Sequence, residues 1–97
     1  MELKHKQEKE SGVFLLEENG EPRAEMTYDI GPEKEIIINH TQVDEDLRGK
    51  DLGQQLVKAA VEHARNKKIK IIPLCTFAKA VLESSDEYSD VLDFEAS

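Results

Sequence analysis

The chain has 97 residues, which suffices for one domain (expected to span 1–97) around a modest core and leaves no room for a second. Apolar residues make up 38% and charged residues 35%, a globular rather than a disordered balance, and no apolar run approaches the roughly 20 residues of a membrane-spanning helix. A net charge of −8 argues against general nucleic-acid binding, which needs a basic surface to neutralise phosphates.

The opening MELKHKQEKE lacks the apolar centre of a signal peptide, and residues 1–10 are expected to fray. Cys75 is the only cysteine, so no internal disulfide forms and a cytoplasmic location is the expectation. His5, His40 and His63 are scattered, no zinc-type spacing occurs, and no metal is expected. Gly12 to Leu16 reads as a strand, NGEP at 19–22 as a hairpin turn, and Arg23 to Ile30 as a half-buried strand alternating Ala24, Met26, Tyr28 and Ile30. GPEK at 31–34 is the next turn, and Glu35 to Val43 a third strand whose centre, Ile36 to Ile38, is apolar on both faces. An antiparallel meander is the economical arrangement.

Leu52, Leu56, Val57, Ala59, Ala60, His63 and Ala64 fall on a helical stripe that ends near Asn66-Lys67-Lys68. Ile69 to Leu74 reads as a fourth strand, parallel to the third because a helix separates them. Thr76 to Leu82, with Thr76 as its cap, and Glu87 to Leu92 read as short helices. The predicted order is β-β-β-α-β-α, an α+β fold with one mixed sheet.

Charge is unevenly spread. Residues 48–70 carry seven cations against Asp51 and Glu62, a local balance of +5 that leaves −13 elsewhere, and residues 83–97 carry six acids and no cation. A solvated face accounts for this; so would a small anionic ligand near 48–70 and a basic partner at the acidic end. The loop RGKDLG at 48–53 enters the helix with two glycines and two cations. A helix start presents free amides at the positive end of a dipole, a natural phosphate site. The competing reading is a capping box, with Asp51 as N-cap and Gln54 at N3.

RGKDLG follows the strand EIIINHTQV and precedes the apolar helix. It resembles the acetyl-CoA diphosphate loop of GNAT-superfamily acetyltransferases, Arg/Gln-x-x-Gly-x-Gly/Ala. Arg48 and Gly53 match, while Asp51 replaces the central glycine. His40-Thr41-Gln42-Val43 before the loop and PLCTFA at 73–78 after the next strand look like a compact branch of that superfamily, reduced to the core sheet and cofactor helix. The resemblance covers 35–92 by motif and 11–34 by topology.

It implies acetyl-CoA as cosubstrate, with the pantetheine arm between two splayed parallel strands and the diphosphate on the amides of the loop. The implied contacts are Thr41, Gln42, Val43, Arg48, Gly49, Lys50, Asp51, Leu52 and Gly53, with Phe77 and Lys79 flanking. An Asp51 carboxylate about 5 Å from a diphosphate would cost about 1–3 kcal/mol. Amine acetylation needs a base and a proton source for the thiolate. His40, at the strand end, suits the first role; Cys75, across the cleft, suits the second, or an acetyl-cysteine step. The structural alternatives are a hydrogen-bonded strand-end histidine and a buried thiol. Tyr88 is a second candidate acid, with packing as its alternative. His5 and His63 receive no role.

The acceptor is expected to be a small-molecule or lysine-type amine, with no nucleic acid or membrane partner; oligomeric state stays open. No N-terminal helices supply a substrate wall, so the amine site is open or completed by another chain. Two rivals remain: a non-catalytic CoA-binding sensor or interaction module, and a plain α+β interaction domain whose helix is merely capped.

Overall fold

The computed structural model of the chain describes residues 1–93. Glu95, one of the six acids of the C-terminal stretch, lies outside the described residues. Five strands form one sheet in sequence order. β1 (Glu2–Gln7), β2 (Ser11–Glu18), β3 (Glu21–Ile30) and β4 (Ile36–Val43) are antiparallel, and β5 (Ile71–Pro73) runs parallel to β4. Helix α1 (Leu52–Lys67) crosses over between β4 and β5, and α2 (Thr76–Glu83) follows β5. This is the α+β class with the meander and parallel crossover that the sequence indicates.

Two elements differ from expectation. Residues 1–10 do not simply fray: 2–7 pair with β2 from Glu2↔Glu17 to Gln7↔Gly12. His5 anchors this strand by stacking on Phe14, ring centroids 4.1 Å apart, while its Nε2 lies 2.6 Å from the Tyr28 hydroxyl. Gly12 makes that bond reachable, since a Cβ there would collide with the Tyr28 ring that lies across β2. The second difference is at Glu87 to Leu92, which is not a helix. A 3-10 turn covers Asp86–Tyr88, and Leu92 instead forms a parallel bridge with Ile71. Arg65 holds this segment through two bonds to the Asp90 carboxylate (2.9 and 3.0 Å) and one to the Glu87 carbonyl (2.6 Å). Lys70 donates to the Asp90 carbonyl at 2.6 Å. Two cations of the basic 48–70 stretch are thus engaged by the chain's own acidic end.

Asn19 and Gly20, with φ of 53° and 83°, make the hairpin turn whose twist matches its strands. Helix α1 ends at Lys68 in the left-handed conformation, φ 59°, with Ile69 N–H donating to Ala64 O at 3.0 Å. Its buried stripe, Leu52, Leu56, Val57, Ala60, Val61 and Ala64, packs on Phe14, Leu16, Ala24, Met26, Tyr28, Ile36 and Ile38 of the sheet. Val61 joins the stripe, while Ala59 and His63 remain half-buried at its margins. Removing a side chain the size of Leu56 from water contributes about 1.5–3 kcal/mol, and the helix has no comparable support from propensity alone. One face of the sheet is therefore covered by α1.

A β-bulge in β4 decides what reaches the site. The register passes from Tyr28↔Ile38 to Thr27↔His40, leaving Asn39 as the extra residue. Plain alternation would put His40 beside Ile36 and Ile38 under α1. The bulge turns it to the opposite face, across from Thr27, and returns Thr41 to the helix side across from buried Met26. Asn39 pins the bulge, accepting from the Thr27 hydroxyl at 2.5 Å and donating to Asp29 at 2.9 Å.

Candidate acyl-CoA cleft and active site

β5 pairs with β4 for three residues only, ending at Ile38↔Pro73. Pro73 has no N–H to extend the ladder. The Leu74 and Cys75 amides both close on the Ile38 carbonyl, at 2.9 and 3.0 Å, and the chain then turns into α2. Beyond this point β4 keeps β3 as its sheet partner on one edge, and among the described residues no strand pairs with the other edge of residues 39–43. Unpaired strand edge is costly when buried and useful when a ligand completes it.

The loop after β4 is braced from below. Arg23 donates to Asp44 (2.6 Å), Asp46 (2.7 Å) and Glu18 (2.7 Å), and the Asp44 amide donates to the Arg23 carbonyl at 2.9 Å. The hydrogen bond from Arg23 holds the Asp46 carboxyl below the usual range. Two acids near the loop are thereby neutralised, while Arg48 has no ion-pair partner among the described residues.

Gly49 has φ of 86°, a value glycine adopts freely. Asp51 has φ 61° and ψ 22°, the left-handed conformation, which explains why the motif places glycine there; aspartate is among the few other residues that tolerate it. Although Asp51 is the N-cap, its side chain makes no capping hydrogen bond, so the expected capping box does not form. The first amide paired within the helix is that of Gln55, donating to Asp51 O at 3.1 Å. The amides of Leu52, Gly53 and Gln54 remain without an intrahelical acceptor. Successive free amides at a helix start attract an anion.

Strand edge, loop and helix start enclose a cleft of about 560 Å³. Of the residues expected from sequence, His40, Thr41, Gln42, Val43, Arg48, Gly49, Asp51, Leu52, Gly53 and Phe77 line it. Lys50, Cys75 and Lys79 do not. Lys50 and Lys79 are exposed, and Tyr88 packs against the core at the Arg65 end of α1. Two lining residues escape sequence reasoning: Leu47, buried in the 3-10 turn Glu45–Leu47, and Gln54 in the first turn of α1. Leu47 had a signal, being the one apolar residue in the charged run 44–51.

His40 and Cys75 lie on opposite sides of β4. His40 is exposed on the face away from α1, its Nε2 3.4 Å from the Gln42 amide oxygen. Cys75 is half-buried on the helix side, its Sγ donating to Thr41 Oγ1 at 3.5 Å. Burial pushes the Cys75 thiol up, but the amide of Ala78, the Thr41 hydroxyl and the amides of Phe77 and Thr41 together outweigh it, and the thiol ends below its usual range. Cys75 rather than Thr76 is the N-cap of α2.

The sequence profile of the GCN5-related N-acetyl-transferase family matches residues 13–91. The chain belongs to that family. A GCN5-like protein from Staphylococcus aureus, solved by NMR, is 41% identical with a TM-score of 0.71, the match covering 94% of this chain and 88% of that one. The ribosomal-protein-S18-alanine N-acetyltransferase from Escherichia coli shares the fold at 20% identity and TM-score 0.66, over 80% of this chain and 53% of that one. AAC(6′)-Iy, in complex with the bisubstrate analogue CoA-S-monomethyl-acetylneamine, shares it at 13% identity and TM-score 0.59, over 79% and 61%. This acetyltransferase chain thus spans little more than half the length of the two larger proteins. No curated protein matches it. Among the described residues no helix is long and apolar enough to cross a membrane, and no three His, Cys, Asp or Glu side chains converge to hold a metal ion.

Proposed function

We propose that the chain binds acetyl-CoA in this cleft and transfers the acetyl group to a primary amine. The observation that carries the reading is the continuity of the lining. It runs from the open edge of β4, through the left-handed loop, to the free amides of α1, offering a strand edge for an amide-bearing arm and an anion site for a diphosphate in one channel. The residues fit the cosubstrate chemically: Val43, Leu47, Leu52 and Phe77 supply apolar wall, and unpaired Arg48 supplies charge.

The bulge gives the chemistry two sides. From the face away from α1, His40 takes the proton of the attacking amine, whose nitrogen lone pair forms the bond to the thioester carbon. Backbone amides on the free edge of β4 stabilise the developing oxyanion. As the carbon–sulfur bond breaks, Cys75, which lies behind the lining, delivers its proton to the departing thiolate through the Thr41 hydroxyl that does line the cleft, and regains one from water. This division favours direct transfer over an acetyl-cysteine step, because the amine and the thiol are kept apart by the strand. The acceptor amine approaches on the His40 side, where Glu25 and Asp29 of β3 share the face and suit a cationic polyamine or lysine.

The test is mass-spectrometric detection of acetylated product from a panel of polyamines and lysine peptides. Wild type is expected to acetylate at least one. His40→Ala and Cys75→Ala are each expected to slow turnover by about 10²-fold or more, the scale of a lost acid or base. Full activity in both variants contradicts the residue assignments. A second reading, a CoA-binding module without catalysis, is favoured by the acidic Asp51 among the residues that line the cleft. Tight acetyl-CoA binding with no product from any amine would select it.

A further inference from the structure

In the loop motif, Gly53 is the position expected to let a diphosphate approach the main chain. The structure assigns it a different partner. Phe77, the second residue of α2, reaches across to the first turn of α1 and lays its ring where the side chain of residue 53 would be. A Cβ on Gly53 would lie 2.5 Å from Phe77 Cζ and 2.7 Å from Cε2, both under any normal contact. The three nearest atoms to that Cβ, Cε1 at 3.5 Å included, all belong to the Phe77 ring. Gly49, by contrast, needs glycine for its backbone angle and has open space around it.

Phe77 also lines the cleft, and it is the one residue of α2 that does. Its neighbour Ala78 and, one turn on, Leu82 point the helix into the core, fully buried, so α2 is fixed while the Phe77 ring is left 37% exposed. At that exposure a large apolar side chain still leaves part of its surface in water, area whose burial would be favourable. Placed at the mouth of the channel, it gains its burial when a ligand covers it.

We propose that Gly53 is present to seat Phe77, and that the seated ring is the wall of the channel that packs on the pantetheine arm. The proposal rests on the acetyl-CoA reading above and adds a residue pair that couples α2 to the diphosphate loop. Because the obstructing atoms belong to the far end of a side chain, Gly53→Ala folds by displacing the ring, and its effect on the ligand passes through Phe77.

The test is a double-mutant cycle read by calorimetric titration with acetyl-CoA. Phe77→Ala and Gly53→Ala are each expected to weaken binding about fivefold or more. Gly53→Ala made in the Phe77→Ala background is expected to change affinity by less than about twofold, since nothing remains to displace. Equal losses in both backgrounds would mean that Gly53 serves the diphosphate directly and would overturn the proposal while leaving the cofactor reading intact. No binding of acetyl-CoA by wild type would overturn the cofactor reading itself. A ligand-free arm keeps the pair testable in that event. Gly53→Ala is expected to raise the melting temperature only in the Phe77→Ala background, where the better helix former meets no ring; a rise of the same size in both backgrounds contradicts the seating.

Discussion

The two ends of the sheet use similar side chains in opposite ways. At the β1–β2 end, His5, Phe14, Tyr28 and His63 close on one another, with His5 and His63 edge to face at 4.6 Å and His5 bonded to the Tyr28 hydroxyl. Burial lowers both imidazoles and raises the phenol, so each is held in its neutral form. At the β4–β5 end, His40 is exposed, the strand edge is unpaired and the helix start keeps its amides free. Histidine by itself therefore signals nothing. What separates a packing histidine from a chemical one is whether the groups around it are already satisfied by the fold.

This contrast can be broken experimentally. The largest effect is expected at the closed end: Phe14→Ala should cost about 3–5 kcal/mol in urea unfolding, with acetyl-CoA affinity of the folded protein unchanged. A large loss of affinity would mean that the two ends are coupled. Next, Asp51→Gly should tighten acetyl-CoA binding severalfold, because glycine accepts φ 61° and a negative charge is removed from the residues that line the cleft. Unchanged or weaker binding would show that the carboxylate is turned away or contributes. Arg23→Ala frees Asp44 and Asp46 beside the loop and should weaken binding severalfold, an effect that shrinks with added salt.

The smallest effect is a pH dependence of stability. His5 and His63 have folded values below the ordinary 6.5, mainly through burial, with their neighbours His63 and Lys67 respectively adding repulsion. The unfolded chain then takes up protons first as pH falls through 6.5. Stability is fully present above that value and declines below it until the folded imidazoles also titrate. Urea midpoints of wild type should fall from about pH 7 to about pH 5, and the His5→Phe/His63→Phe double variant should fall less. Equal slopes would place the titration elsewhere.

The helix stripe of 52–64, the alternation of β3 and the 48–53 loop were legible in the sequence because each is a local pattern set by one period or one motif. β1 was not, since in ELKHKQ the inward anchor is His5, and its value as an aromatic surface exists only once Phe14 and Tyr28 are beside it. The sequence reading placed His40 and Cys75 across one cleft. The bulge at Asn39 puts them on opposite faces of β4, and a bulge that follows an isoleucine run apolar on both faces leaves no trace in apolar patterning. Glu87 to Leu92 has helical composition, but Leu92 is drawn into a bridge with Ile71 and Arg65 holds Asp90, both long-range contacts. The approach of Phe77 to Gly53 was not legible for the same reason: the two lie 24 residues apart in sequence.

The most direct test of the central claim is an amide-resolved NMR titration of the wild-type chain with acetyl-CoA, followed by CoA. The account predicts shifts concentrated in residues 40–54 and around Phe77, with the β1–β2 end silent. Shifts absent at millimolar ligand, or centred on the His5–His63 cluster, would contradict it.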